Sequence, residues 1–242
     1  MVRPEVRVLE DAETLARTAA ELFAEAGLQA VASRGRFVAV LAGGSTPARS
    51  YRLLADEPLR SRVPWPSTVI LFGDERAVGP ADERSNYRMA REALLDHVPL
   101  AASSVHRIRG EIDPAAAARE YEGLLRDLFP GGATPRFDLV LLGMGEDGHT
   151  ASLFPASAAL DETERWVSTS AAPRLATPRI TLTLPALNAA RQVVFLIAGA
   201  SKAPAFAQAF GGAPHATPHP CERVVPVRGR LTVLVDRAAA RR

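Results

Sequence analysis

The chain has 242 residues, 47% hydrophobic and 23% charged, a composition that fits a globular protein with a full core and excludes a largely disordered one. Its 29 basic and 27 acidic residues leave a formal charge of +2, too small and too evenly spread a surplus to form a nucleic-acid-binding arm. The single cysteine, Cys221, excludes an internal disulfide and a cysteine-based metal site. No apolar run approaches the roughly 20 residues of a membrane span, and Met1–Leu9 has no signal-type core. The expectation is therefore a cytoplasmic chain with no membrane or nucleic-acid partner, folded over 1–242 as one domain.

In chain order, Asp11–Ala26 places Leu15, Ala19, Leu22, Phe23 and Ala26 at helical spacing and predicts a helix stopped by Gly27. Arg36–Ala42 is a short apolar run of the kind buried on both faces of a sheet. It leads into Gly43-Gly44-Ser45-Thr46-Pro47. Two glycines allow close backbone approach, Ser45 and Thr46 bring hydroxyls, and Pro47 suits a helix first turn whose free N–H groups would face an anion. The same residues also make an ordinary strand-to-helix turn, and they match neither the Walker loop nor the dinucleotide fingerprint.

Thr68–Phe72 predicts a second strand, followed by Gly73-Asp74-Glu75-Arg76. Adjacent acids with an arginine could move protons or hold a hydroxyl and a phosphate. On spacing alone the stronger reading is a solvated loop with a local ion pair. Helices are predicted over Asn86–His97 and Ala115–Phe129, the latter opened by Asp113-Pro114.

The strand Phe137–Leu142 runs into the sharpest segment, Gly143-Met144-Gly145-Glu146-Asp147-Gly148-His149-Thr150-Ala151-Ser152-Leu153-Phe154-Pro155. Three glycines bend the chain so that Asp147 falls close to His149. A carboxylate can fix the imidazole tautomer, the imidazole titrates near neutrality, and turn amides can face an oxyanion. Catalysis is preferred over a structural turn-capping histidine. Asp147 and His149 supply two ligands where a catalytic zinc needs about three. His97, His106, His215 and His219 read as surface residues, so no metal is expected.

Arg179–Leu184 alternates strictly, as at an edge or in a small subsidiary lobe. Gln192–Ile197 is another buried strand, after which Gly199 and Lys202 open a helix. A proline-rich stretch, Gly211–Pro226, precedes the strand Leu231–Val235. Strands alternating with helices predict an α/β fold, a three-layer αβα Rossmann-like and mostly parallel sheet. In such a sheet ligands gather at the carboxyl ends of strands, where the unusual polar segments fall.

Leu41–Pro47, Phe72–Arg76, Ser85-Asn86-Tyr87, Phe137–Pro155, Arg179–Asn188 and Val194–Lys202 together resemble the 6-phosphogluconolactonase family. The resemblance implies a fold shared with glucosamine-6-phosphate deaminases. It also implies hydrolysis of 6-phospho-D-glucono-1,5-lactone, the second step of the oxidative pentose phosphate pathway, without a cofactor. By position, His149 would be the general base and Asp147 its loop partner. Ser45, Arg76, Arg179 and Lys202 would form the phosphate end, Gly43 and Gly44 with Thr46 the cradle, and Asp74 a substrate contact. The expected partner is that small molecule, the protein being a monomer or weak homo-oligomer. The deaminases carry a glutamate where this chain has Phe154, which cannot relay a proton. Near the C-terminus His219-Pro220-Cys221 stands where the family often has Leu-Pro-Ala. Two other readings share the scaffold: a deaminase or isomerase, and a non-catalytic sugar-phosphate-binding protein.

Overall fold

The structure, a computed structural model, describes residues 4–131, 134–171 and 177–241. Its elements in chain order are β1 (Glu5–Leu9), α1 (Ala12–Arg34), β2 (Phe37–Leu41), α2 (Ser45–Ala55), α3 (Leu59–Arg62), β3 (Thr68–Phe72), β4 (Asp74–Arg76), α4 (Asn86–Ala93), α5 (Pro114–Leu128), β5 (Leu139–Gly143), β6 (Val167–Ser170), β7 (Arg179–Leu182), α6 (Leu184–Asn188), β8 (Gln192–Ile197), α7 (Ala203–Ala209) and β9 (Arg230–Asp236).

Six strands form one parallel sheet in the order β1-β9-β8-β5-β2-β3. Every residue of β2 and β8 is buried, the reason these strands read as continuous apolar runs: helices cover both faces. The chain moves outward from β2 to β3, then returns to lay β5 on the other side of β2 and continues through β8 to β9. The order therefore reverses between β2 and β5, and a crevice opens there at the strands' carboxyl ends. The two glycine-rich loops leave those two strands.

Several boundaries differ from expectation. Helix α1 passes through Gly27 and runs to Arg34, where Gly35, at φ 75°, stops it by donating its amide to the Val31 carbonyl. At Gly27 an added Cβ would lie 3.1 Å from the Pro64 ring and 3.2 Å from Phe37. That glycine lets the helix pass close to its neighbours rather than ending it. Helix α4 stops at Ala93, and Leu95–His97 forms a separate 3-10 turn. Helix α5 opens as expected: Asp113 accepts from the Ala116 amide at 2.9 Å with Pro114 in the first turn.

Asp74–Arg76 is a strand, not a solvated loop. It pairs antiparallel with β7, setting Asp74 opposite Thr181, Glu75 opposite Ile180 and Arg76 opposite Arg179. With β6 these strands make a small second sheet, so the alternating Arg179 segment does lie in a subsidiary sheet. The alternation ends at Leu182, because Leu184 already begins α6.

Candidate active site

Two buried tyrosines hold the strand ends that frame the crevice. The Tyr51 hydroxyl on α2 accepts from the Ala42 amide and donates to the Ala42 carbonyl, each at 2.9 Å. Tyr121 on α5 does the same for Phe72, at 2.8 and 3.2 Å. Ala42 and Phe72 each stand one step before a loop glycine, and their buried backbone groups outside the sheet ladder need another partner. Burial pushes both phenols above their ordinary pKa, keeping them neutral and able to donate.

Beyond Ala42 the chain turns at Gly43 and Gly44 into α2. A Cβ on Gly43 would sit 1.9 Å from the Asn86 side-chain oxygen, so a side chain here would displace Asn86. Asn86 Nδ2 donates to the Asp74 carbonyl at 2.9 Å and to its Oδ1 at 3.1 Å, while Ser152 Oγ donates to Asp74 Oδ2 at 2.6 Å. Asp74 is thus buried and hydrogen-bonded on both oxygens, and through Ser152 it is tied to the histidine loop. Glu75 serves a different purpose. Its carboxylate accepts from the amides of Arg76, Asn86 and Tyr87 and from Ser85 Oγ, pinning the start of α4.

The loop after β5 folds on itself. The Gly145 amide donates to the His149 carbonyl at 2.8 Å and the Gly148 amide to the Gly145 carbonyl at 3.1 Å. The result is His149 Nδ1 at 2.6 Å from Asp147 Oδ1, which also accepts from the His149 amide at 3.1 Å. A Cβ on Gly145 would lie 2.1 Å from that ring nitrogen, so this contact needs the glycine. A carboxylate oxygen only accepts. Nδ1 therefore carries a proton, and in the neutral imidazole the free lone pair lies on Nε2. Burial works against the Asp147 charge, but attraction to His149 and the two hydrogen bonds outweigh it and hold the carboxyl below its ordinary range. Phe154 packs on the imidazole, ring centroids 4.6 Å apart.

These pieces enclose a cavity of about 200 Å³ whose walls include Gly43, Gly44, Asp74, Arg76, Asn86, Gly145, His149 and Lys202. Six of the ten expected site residues line it. Asp147 stands behind the imidazole rather than in the wall, and Ser45 and Thr46 sit on the first turn of α2, Ser45 exposed. Arg179 lies beside Arg76 across the small sheet, its Nη1 donating to the Thr177 carbonyl at 3.1 Å. Burial and the neighbouring Arg76 charge both work against the Arg179 cation, strain that an anion placed between the two would relieve. Lys202 is set by the turn after β8, where the Gly199 amide donates to the buried carboxylate of Asp236 at 3.0 Å.

Asn86 and Ser152 were not singled out by their chemistry. Both fall inside segments that carried the family resemblance, which was the available signal. His215 and His219, read as surface residues, are half-buried and bonded. Cys221 is buried, its thiol pushed up to about 12 by burial, and its amide donates to the Gly148 carbonyl at 3.0 Å. Among the described residues no three His, Cys, Asp or Glu side chains are grouped as metal ligands.

Fold and site together define an α/β protein with a carboxylate-oriented imidazole and converging cations at the switch point of a parallel sheet. The family model described as glucosamine-6-phosphate isomerases/6-phosphogluconolactonase matches residues 10–233. A 6-phosphogluconolactonase of Nostoc sp. is 39% identical over 97% of this chain and 96% of its own length, and one of Mycobacterium leprae is 39% identical over 98% and 97%. The solved structure of 6-phosphogluconolactonase from Trypanosoma cruzi superposes with a TM-score of 0.86 at 29% identity, covering 99% of this chain and 96% of that one. The chain belongs to the family of glucosamine-6-phosphate isomerases and 6-phosphogluconolactonases.

Proposed function

We propose that this protein hydrolyses 6-phospho-D-glucono-1,5-lactone to 6-phospho-D-gluconate, the step of the oxidative pentose phosphate pathway named by its relatives, with residues 1–242 acting as one catalytic unit in the cytoplasm. No helix among the described residues is long and apolar enough to cross a membrane. The observation that carries the mechanism is the 2.6 Å contact of His149 Nδ1 with Asp147, made in a cavity that His149 shares with Arg76 and Lys202.

The phosphate docks at the cationic end, against Lys202, Arg76 and Arg179, with the α2 N-terminus, Ser45 and Thr46 beside it. Asp74 accepts from a substrate hydroxyl. Anchoring the distant phosphate fixes the lactone carbonyl near His149, so binding energy is turned into positioning. His149 Nε2 takes a proton from water and the oxygen attacks C1. Loop amides take up the negative charge on the carbonyl oxygen. The imidazolium, stabilised by Asp147, then protonates the ring oxygen as the C1–O bond breaks. A lactone is an activated ester, and this sequence of steps draws only on groups of the chain.

The test is hydrolysis of freshly prepared phosphogluconolactone measured against its spontaneous rate. His149→Ala is expected to lose about 10² to 10⁴-fold in kcat with the fold intact by circular dichroism. Unchanged turnover would remove His149 from the mechanism.

A further inference from the structure

The proline-rich stretch Gly211–Pro226 closes over the back of the histidine loop. The Cys221 amide donates to the Gly148 carbonyl. The His219 ring lies directly on Gly148, where a Cβ would come within 2.3 Å of its Nδ1. His219 Nδ1 stands 3.1 Å from the Asp147 carbonyl oxygen and Nε2 stands 2.7 Å from Gln208 Oε1 on α7. A backbone carbonyl only accepts, so Nδ1 is the donor toward Asp147, and in the neutral ring Nε2 then accepts from Gln208, whose carboxamide presents its N–H2 there when its two ends are exchanged. The ring therefore bridges the peptide that carries the Asp147 carboxylate to the helix that begins one residue after Lys202.

His219 is itself held from behind. Its amide donates to Glu222 Oε2 at 2.6 Å, and the same oxygen is 2.9 Å from His215 Nε2. His215 Nδ1 faces the Ala213 carbonyl at 3.2 Å. Both partners of the His215 ring are acceptors, so this geometry suits an imidazolium paired with Glu222. The two imidazoles stack with centroids 5.5 Å apart and planes 20° apart.

We propose that His219 is a positioning residue for lactone hydrolysis: its ring fixes the Asp147–Gly148 peptide, and through it the angle at which Asp147 holds His149. This rests on the reading of His149 as the base. The contact is a side-chain one: a leucine in place of His219 could pack against Gly148 but could not donate to Asp147. In this chain the angle of the base is set by a hydrogen bond in addition to packing.

The test is steady-state kinetics on phosphogluconolactone for His219→Ala, His219→Asn and His219→Gln, with His149→Ala assayed in parallel. An asparagine places a donor where Nδ1 stands; a glutamine places one only where Nε2 stands. His219→Ala is expected to lower kcat about tenfold while KM stays within about twofold, because orientation and not substrate binding is lost. His219→Asn is expected to recover most of that loss and His219→Gln little of it. The proposal is overturned if His219→Ala turns over like the parent, if only KM changes, or if asparagine does no better than glutamine. Should His219→Ala not fold, the asparagine–glutamine pair decides alone. If His149→Ala abolishes turnover while the His219 variants match the parent, the positioning role fails and the base survives. If His149→Ala retains turnover, the base reading itself fails.

Discussion

In the proposed mechanism His149 works through the nitrogen that Asp147 does not touch. With Nδ1 committed at 2.6 Å to the carboxylate, Nε2 keeps its lone pair for water, and the imidazolium formed on proton transfer has its counter-charge already in place. Phe154 against the same ring explains at residue level why lactone opening suits this site better than deamination: the neighbour is an apolar ring with no proton to relay. Lys202 is proposed to hold the phosphate, at a distance from the reacting carbonyl. Lys202→Ala is therefore expected to raise KM by about tenfold or more with a smaller change in kcat, since a charge-assisted contact to phosphate is worth roughly 1.5–3 kcal/mol. Initial-rate measurements over a range of substrate concentrations check this, and a fall in kcat alone would argue against a phosphate role.

At the scale of elements, the site depends on strands that stop cleanly and on helices that complete them. Tyr51 of α2 satisfies both backbone groups of Ala42, and Tyr121 of α5 both groups of Phe72. Tyr51→Phe keeps the ring and leaves a buried N–H and C=O unpaired, so it is expected to cost about 2–3 kcal/mol in urea unfolding without opening a cavity. Because Ala42 leads directly into Gly43, activity is expected to fall with it. A stability equal to that of the parent would show that water reaches those groups. The small sheet has a comparable task. By pairing β4 with β7 it brings Arg76 and Arg179 side by side, a juxtaposition of like charges that makes sense once an anion is bound.

For the whole molecule, the Asp147–His149 pair links acid stability to the active site. The Asp147 carboxyl lies below its ordinary range in the folded protein. Its contribution to stability is therefore complete above the unfolded value of about 3.9 and is lost as pH falls through the lower folded value. The difference in unfolding free energy between the parent and Asp147→Asn should shrink as pH falls below about 4. Urea unfolding across that range checks the direction, and a difference that grows in acid would contradict it. The same substitution removes the negative charge that would stabilise the imidazolium and lets an amide N–H2 turn toward Nδ1, favouring the other tautomer, so loss of activity at neutral pH should accompany it.

The sequence by itself determined the parallel α/β sheet and the glycine-rich segments that meet in its crevice. Apolar runs such as Thr68–Phe72 and Gln192–Ile197 match β3 and β8 residue for residue, because strands covered on both faces have no polar face to blur the pattern. The Gly145–His149 segment was legible for a related reason: a side chain on Gly145 would collide with the His149 ring, so the residue types themselves record the bend. Short or exposed strands were not legible. Glu5–Leu9 forms β1 with mostly exposed side chains, and the charged Asp74–Arg76 forms β4 only because β7 lies alongside. Gly27 looked like a helix end because its packing partners, Phe37 and Pro64, are distant in sequence. Only the tertiary structure could decide which polar residues meet. The contacts of Ser152 with Asp74 and of His219 with Asp147 join residues 78 and 72 positions apart. Local propensity carries no record of such contacts, since they form only after the sheet has brought its loops together.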